Sequence, residues 1–128
     1  MCNKGKFFIC ETCGNLVELT LKGGGTLVCC GKEMKELNAN VEDASLEKHV
    51  PEVTVDGNKV KVQIGSVIHP MTEEHYIQFI YLETKLGIQR KCLSPGEEPV
   101  AEFVLAEGDE PVTAYEFCNL HGLWKKDI

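Results

Sequence analysis

The sequence offers little that suits a membrane, an export route or a nucleic-acid partner. No apolar run approaches the roughly 20 residues of a membrane span. Met1 to Lys6 leads into only three apolar residues, Phe7, Phe8 and Ile9, far short of the apolar stretch of a secretory leader. Positive charge is also scarce. Thirteen Lys and Arg stand against twenty Asp and Glu, a net charge of −7, which argues against a nucleic-acid ligand. No internal repeat is visible, and Gly23-Gly24-Gly25 is the one low-complexity run. Seven cysteines without an export signal favour thiols and metal over disulfides, and hence a cytoplasmic protein.

The cysteines and histidines are what is abundant, and they fall into two sets. Cys10 and Cys13 form C-E-T-C, and Cys29-Cys30 follow a glycine turn. The second set is His49, His69, His75, Cys118 and His121, carried by E-K-H-V-P, H-P-M-T-E-E-H and C-N-L-H-G. All four histidines of the chain belong to it.

The chain divides into a metal-dependent N-terminal piece, residues 1–38, and a larger β-domain, residues 39–128. A piece of about 40 residues rarely builds a sufficient core without a metal, disulfide or partner chain. It carries five Lys and four Glu, whereas residues 39–128 carry eight basic and sixteen acidic residues. The charge of −8 on the larger piece poses a problem for any anionic substrate. In the first piece, Phe7–Ile9, Asn15–Lys22 and Thr26–Val28 read as strands, the last two joined as a hairpin across the glycines. Asn38–Glu42 reads as a linker, and Asp43–Lys48 as one helical turn capped by Asp43 and stopped before Pro51. Strands then follow at short intervals: Glu52–Val55, Lys59–Ile64, His75–Lys85, Ile88–Leu93, Val100–Leu105 and Val112–Cys118. Asp56-Gly57-Asn58 marks a hairpin between the first two. This spacing predicts an immunoglobulin-like β-sandwich.

C-x-x-C places two thiolates on one turn. The adjacent Cys29 and Cys30 point to opposite faces of a regular strand, so both reach one metal only if the backbone twists there. Gly14 and Gly31, each after a cysteine pair, relieve crowding at the two turns. The spacing alone does not choose between iron and zinc, since both accept four sulfurs. The second set is too rich for a structural zinc. Four imidazoles in a square with an axial thiolate leave one open position on an octahedral ion. A thiolate pushes electron density through the metal. Such a site suits iron and the inner-sphere reduction of a small oxygen species. Lys48 beside a ligand would attract an anion, and Glu47 would cap the open position, although most Glu-Lys pairs are merely solvated. Cys92 reads as a buried strand thiol and Cys2 as a tail residue.

Taken together, C-E-T-C-G, L-V-C-C-G, E-K-H-V-P, H-P-M-x-x-x-H-Y-I and C-N-L-H-G-L-W closely resemble desulfoferrodoxin, the two-iron class of superoxide reductase. The resemblance spans nearly the whole chain. It implies a desulforedoxin-like domain with an Fe(Cys)4 centre on Cys10, Cys13, Cys29 and Cys30. It also implies a second iron bound equatorially by His49, His69, His75 and His121 and axially by Cys118. Such enzymes reduce superoxide to hydrogen peroxide, with the equivalents of Glu47 and Lys48 on a loop by the open face. A rubredoxin-like protein is the expected electron donor, and a homodimer through residues 1–38 the expected assembly. The competing readings are a non-catalytic iron or copper electron-transfer protein and a zinc-stapled binding module.

Overall fold

The computed structural model describes residues 2–42 and 49–128. All regular elements among them are β-strands, and no helix is long and apolar enough to cross a membrane. The chain forms two compact units, Met1–Asn38 and Ala39–Ile128.

In the first unit β1 (Phe7–Ile9) lies between β2 (Leu16–Glu18) and β5 (Lys35–Glu36), antiparallel to both. β3 (Val28–Cys29) and β4 (Lys32–Glu33) form a separate small hairpin. The expected pairing across Gly23–Gly25 is therefore replaced by two hairpins, each with a cysteine pair at or beside its turn. Proximity along the chain explains the choice. The Cys10 amide donates to the Asn15 carbonyl and the Gly14 amide to the Cys10 carbonyl, both at 2.8 Å, so β2 meets β1 through a short loop whose closure is less costly than a longer one. Leu19 and Thr20 continue this pairing irregularly, through Lys6 and Asn3, and Leu21 is left exposed. Among the described residues of this unit, Phe7 and Cys10 are the buried apolar side chains. So thin a core needs a metal or a partner chain to hold it.

The second unit is an immunoglobulin-like sandwich. One sheet has the order β10 (Val100–Val104), β7 (Lys59–Ile64), β6 (Pro51–Asp56). The other runs β12 (Gly122–Asp127), β11 (Pro111–Cys118), β8 (Ile77–Thr84), β9 (Ile88–Cys92). β6 and β7 are joined through Gly57-Asn58, with Gly57 at φ 61°, a turn that favours glycine at its first central position. Val60, Val62 and Ile64 alternate inward from β7 and meet Ile80 and Leu82 of β8, Ala101 and Phe103 of β10 and Ala114 of β11. β8 is buried on both faces. Its outer residues Phe79 and Tyr81 pack on Phe117 and Tyr115 of β11, with ring centroids 5.8 and 5.5 Å apart. The Gln89 side chain of β9 donates to the Val104 carbonyl of β10 at 2.9 Å, which caps part of an open sheet edge.

Three local expectations change. β12 is an additional strand, so Cys118 ends the penultimate strand and His121 sits in the turn of the β11–β12 hairpin. Asn40, expected in a linker, is docked on the sandwich, with its amide donating to the Leu123 carbonyl and its carbonyl accepting from the Lys125 amide, both at 2.9 Å. Cys92 is exposed rather than buried, because it lies on edge strand β9 opposite Phe79, on the outer face. The helical turn expected over Asp43–Lys48 lies outside the described residues.

Candidate metal centres

The first cluster gathers Cys10, Cys13, Cys29 and Cys30, whose sulfurs all lie within 4.8 Å of one another. Cys13 Sγ is 3.6 Å from Cys29 Sγ, and Cys29 Sγ is 4.0 Å from Cys30 Sγ. The twist needed to aim Cys29 and Cys30 at one point is present: Cys30 has φ 55°, the only non-glycine residue with positive φ among those described. Gly14 and Gly31 follow with φ of 82° and 73°. An added Cβ would meet no atom within 4 Å at either glycine, so backbone conformation and not crowding requires them. These turns aim backbone N–H groups at sulfur, and the Cys13 amide reaches Cys10 Sγ at 3.5 Å. That bond leads in lowering the Cys10 thiol to about 6, while the Cys30 thiol, facing the sulfurs of Cys13 and Cys10, is pushed up to about 12. The Cys29 thiol is raised as well, first by Cys13. Four thiols crowded in this way trade a shared set of protons for one soft cation.

The second cluster is a ring of imidazoles around a thiol. Neighbouring ring centroids are separated by 4.7 Å (His49 and His69), 4.6 Å (His69 and His75), 5.1 Å (His75 and His121) and 4.8 Å (His121 and His49). The diagonal from His49 to His75 is 6.4 Å. Four nearly equal sides and a longer diagonal describe a square. Cys118 is the residue shared by both donor triads, His49–His69–Cys118 and His75–Cys118–His121. Its sulfur lies 3.7 Å from His69 Nε2 and 3.9 Å from His121 Nδ1. His69 Nδ1 donates to the Pro70 carbonyl at 2.7 Å, which fixes the tautomer that leaves Nε2 for a metal. His49 and His69 are buried, whereas His121 is exposed.

Local structure explains the placement. The β8–β11 register shifts between Phe117 and Cys118, so that Cys118 pairs with Ile77 while Phe117 pairs with Phe79. This bulge turns Ile77 into the core beside Cys118 and re-aims the chain on which His75 lies, as bulges beside functional sites commonly do. Gly122, at φ 83°, closes the turn that presents His121.

Two residues of this site carry no role in the sequence reading. Glu116 is fully buried, with Oε2 3.7 Å from His49 Nδ1. That is an ion-pair distance and longer than a hydrogen bond, but a buried negative charge on this side of the ring favours a proton on Nδ1, which would leave Nε2 for a metal. Trp124 stacks on His49 at 4.8 Å and 23°, and its Nε1 donates to the His121 carbonyl at 3.1 Å. The C-N-L-H-G-L-W motif contained Trp124, but spacing could not say what it touches. Glu47 and Lys48 lie outside the described residues. Cys2 and Cys92 are exposed and belong to neither cluster.

The donor chemistry fits iron at both places. Four thiolates suit an Fe(Cys)4 centre, and four imidazoles with a thiolate exceed what structural zinc takes. An all-β chain with these two clusters is a two-centre iron protein. It belongs to the desulfoferrodoxin family: the Desulfoferrodoxin profile matches residues 41–127 and that of the Desulfoferrodoxin N-terminal domain matches residues 2–37. A desulfoferrodoxin of Syntrophotalea carbinolica is 47% identical over 127 residues, 99% of each chain. The crystal structure of the superoxide reductase from Treponema pallidum matches with a TM-score of 0.82 at 37% identity, covering 95% of this chain and 97% of that one. A superoxide reductase of Pyrococcus furiosus is 33% identical over 108 residues, 64% of this chain and 87% of its own.

Proposed function

We propose that this chain is a superoxide reductase, with its reaction centre on His49, His69, His75, His121 and Cys118 and an accessory iron on Cys10, Cys13, Cys29 and Cys30. The observation that carries the reading is the near-square ring of four imidazoles built around the Cys118 sulfur. When bound there, ferrous iron supplies one electron to superoxide, which takes up two protons and leaves as hydrogen peroxide. Cys118 would provide the electron-rich donor, and His49, His69, His75 and His121 would hold the ion from around it, so that five protein donors would leave a six-coordinate iron one position for the substrate. Buried His49 and His69 restrict water on their side of the site. Lys48 draws the anion in, and Glu47 caps the open position between turnovers. A rubredoxin-like protein returns the electron, in the cytoplasm, and the activity removes a toxic oxygen species.

The chain is proposed to act as a homodimer through residues 1–38, since Phe7 and Cys10 alone make a poor core. Light scattering at micromolar concentration is expected to give twice the mass of the chain, and a monomer would remove the dimer from the reading. The function is tested by metal analysis and turnover of natively produced protein. Two irons per chain and peroxide formed from superoxide without dioxygen release are expected. Zinc at both centres would overturn the proposal.

A further inference from the structure

We propose that Asn119 is a positioning residue that ties the two ligand-bearing segments of the second centre into one prebuilt half-site. The inference rests on the reading of His75, Cys118 and His121 as ligands of one iron. Asn119 sits between Cys118 and His121. Its side-chain oxygen accepts from the Tyr76 amide at 2.9 Å, and its side-chain nitrogen donates to the Glu74 carbonyl at 2.9 Å. The two partners are the residues on either side of His75. Its own backbone amide adds a third bond, to the Tyr76 carbonyl at 3.2 Å.

The β8–β11 ladder ends with Cys118 opposite Ile77, just past the bulge. Beyond it the Asn119 amide group stands in for a peptide unit and carries the pairing one residue further. The segment it grips is already closed on itself, with the His75 amide donating to Thr72 Oγ1 at 3.1 Å and the Thr72 amide to the His75 carbonyl at 2.9 Å. The turn from Thr72 to His75 is thus a small rigid unit, and Asn119 fixes where it sits. Without the Asn119 side chain, the backbone bond to the Tyr76 carbonyl, that turn and the start of β8 would be left to place His75. The bonds span 43 and 45 residues of sequence, so they order groups that the unfolded chain keeps far apart. An amide offers one acceptor and donors at this reach, whereas Asp retains only the acceptor and Ala neither.

The test is titration of metal-free protein with ferrous iron against a competing chelator, following thiolate-to-metal absorption at the second centre. Wild type, Asn119→Ala, Asn119→Asp and Gln89→Ala are compared. Gln89→Ala removes a side chain-to-carbonyl bond of the same length that involves no residue of the second cluster and controls for general loosening. Asn119→Ala is expected to weaken iron binding at the second centre by about 10- to 100-fold, as loss of groups that orient metal ligands commonly does, and to shift its absorption band. Asn119→Asp is expected to lose less, and it carries the test should Asn119→Ala not fold. Binding at the tetrathiolate centre should be unchanged in both. Wild-type affinity and spectrum in both Asn119 variants, or an equal loss in Gln89→Ala, would overturn the proposal. Failure of wild type itself to bind a second iron would instead overturn the reading of the centre.

Discussion

Cys30 and Gly14 show how single residues set the tetrathiolate site. Cys30 accepts a left-handed conformation, and Gly14 and Gly31 adopt it after each cysteine pair. Because nothing lies within 4 Å of a Cβ built on Gly14, Gly14→Ala tests conformation free of steric clash. A cost of about 1–2 kcal/mol is expected, read as a lower denaturant midpoint for bleaching of the tetrathiolate colour. Gly23→Ala, at a position with open space and no left-handed φ, should leave that midpoint unchanged or raise it slightly. Equal losses in the two variants would refute the conformational account. In the second centre Cys118 belongs to both donor triads. Cys118→Ser should therefore keep the fold, lose the thiolate-to-iron band of that centre and lose most turnover. An unchanged spectrum with unchanged turnover would remove the thiolate from the mechanism.

At the scale of elements, β8 and β11 carry a large part of the core, and β11 ends on Cys118, the residue shared by both donor triads. Ala114 and Glu116 share the inner face with their partners Leu82 and Ile80, while Tyr115 and Phe117 form the outer aromatic face with Tyr81 and Phe79. Leu82 is fully buried in this pair. Leu82→Ala should cost about 2–5 kcal/mol through lost burial and the cavity left behind. Denaturant unfolding of the metal-free protein checks this, and a shift under about 0.5 kcal/mol, the scale of surface substitutions, would contradict the packing described. β8 was legible from its aromatic and β-branched run. β12 was not, because its end is polar and Leu123 and Trp124 are both buried in succession, which breaks the period of two. The β2–β1 pairing was missed for a related reason: alternation identifies a strand but not its partner.

Across the whole molecule the charge is uneven, −8 over residues 39–128, so the average field repels superoxide. Local charge governs a cleft more than the average does. Ferrous iron with one thiolate and four neutral imidazoles would carry a net charge of about +1, and Lys48, in the role proposed for it, would add another. Loss of about 1.4 kcal/mol of attraction is tenfold in rate. Lys48→Ala is therefore expected to slow superoxide capture about tenfold. Capture by wild type should weaken as salt rises, and the variant should lose or invert that trend. Pulse radiolysis across ionic strength measures both, and identical rates and slopes would make Lys48 a solvated surface residue.

The membership of both donor clusters was legible because metal chemistry is written in residue type: thiol and imidazole are metal-binding donors, and this chain places nearly all of them at turns and strand ends. The alternating strands and the Gly57 turn likewise follow from local rules. The square arrangement of His49, His69, His75 and His121 is a different matter. It gathers four segments distant in sequence, and the meeting of the His75 segment with Cys118 follows a register shift between two strands, which no local window contains. The same holds for Glu116 behind His49, Trp124 across His49 and His121, and Asn119 around His75. An amide or a carboxylate in sequence declares what it can bond. Which partner it meets, 43 residues away in the case of Asn119 and Tyr76, is decided only when the strands pair.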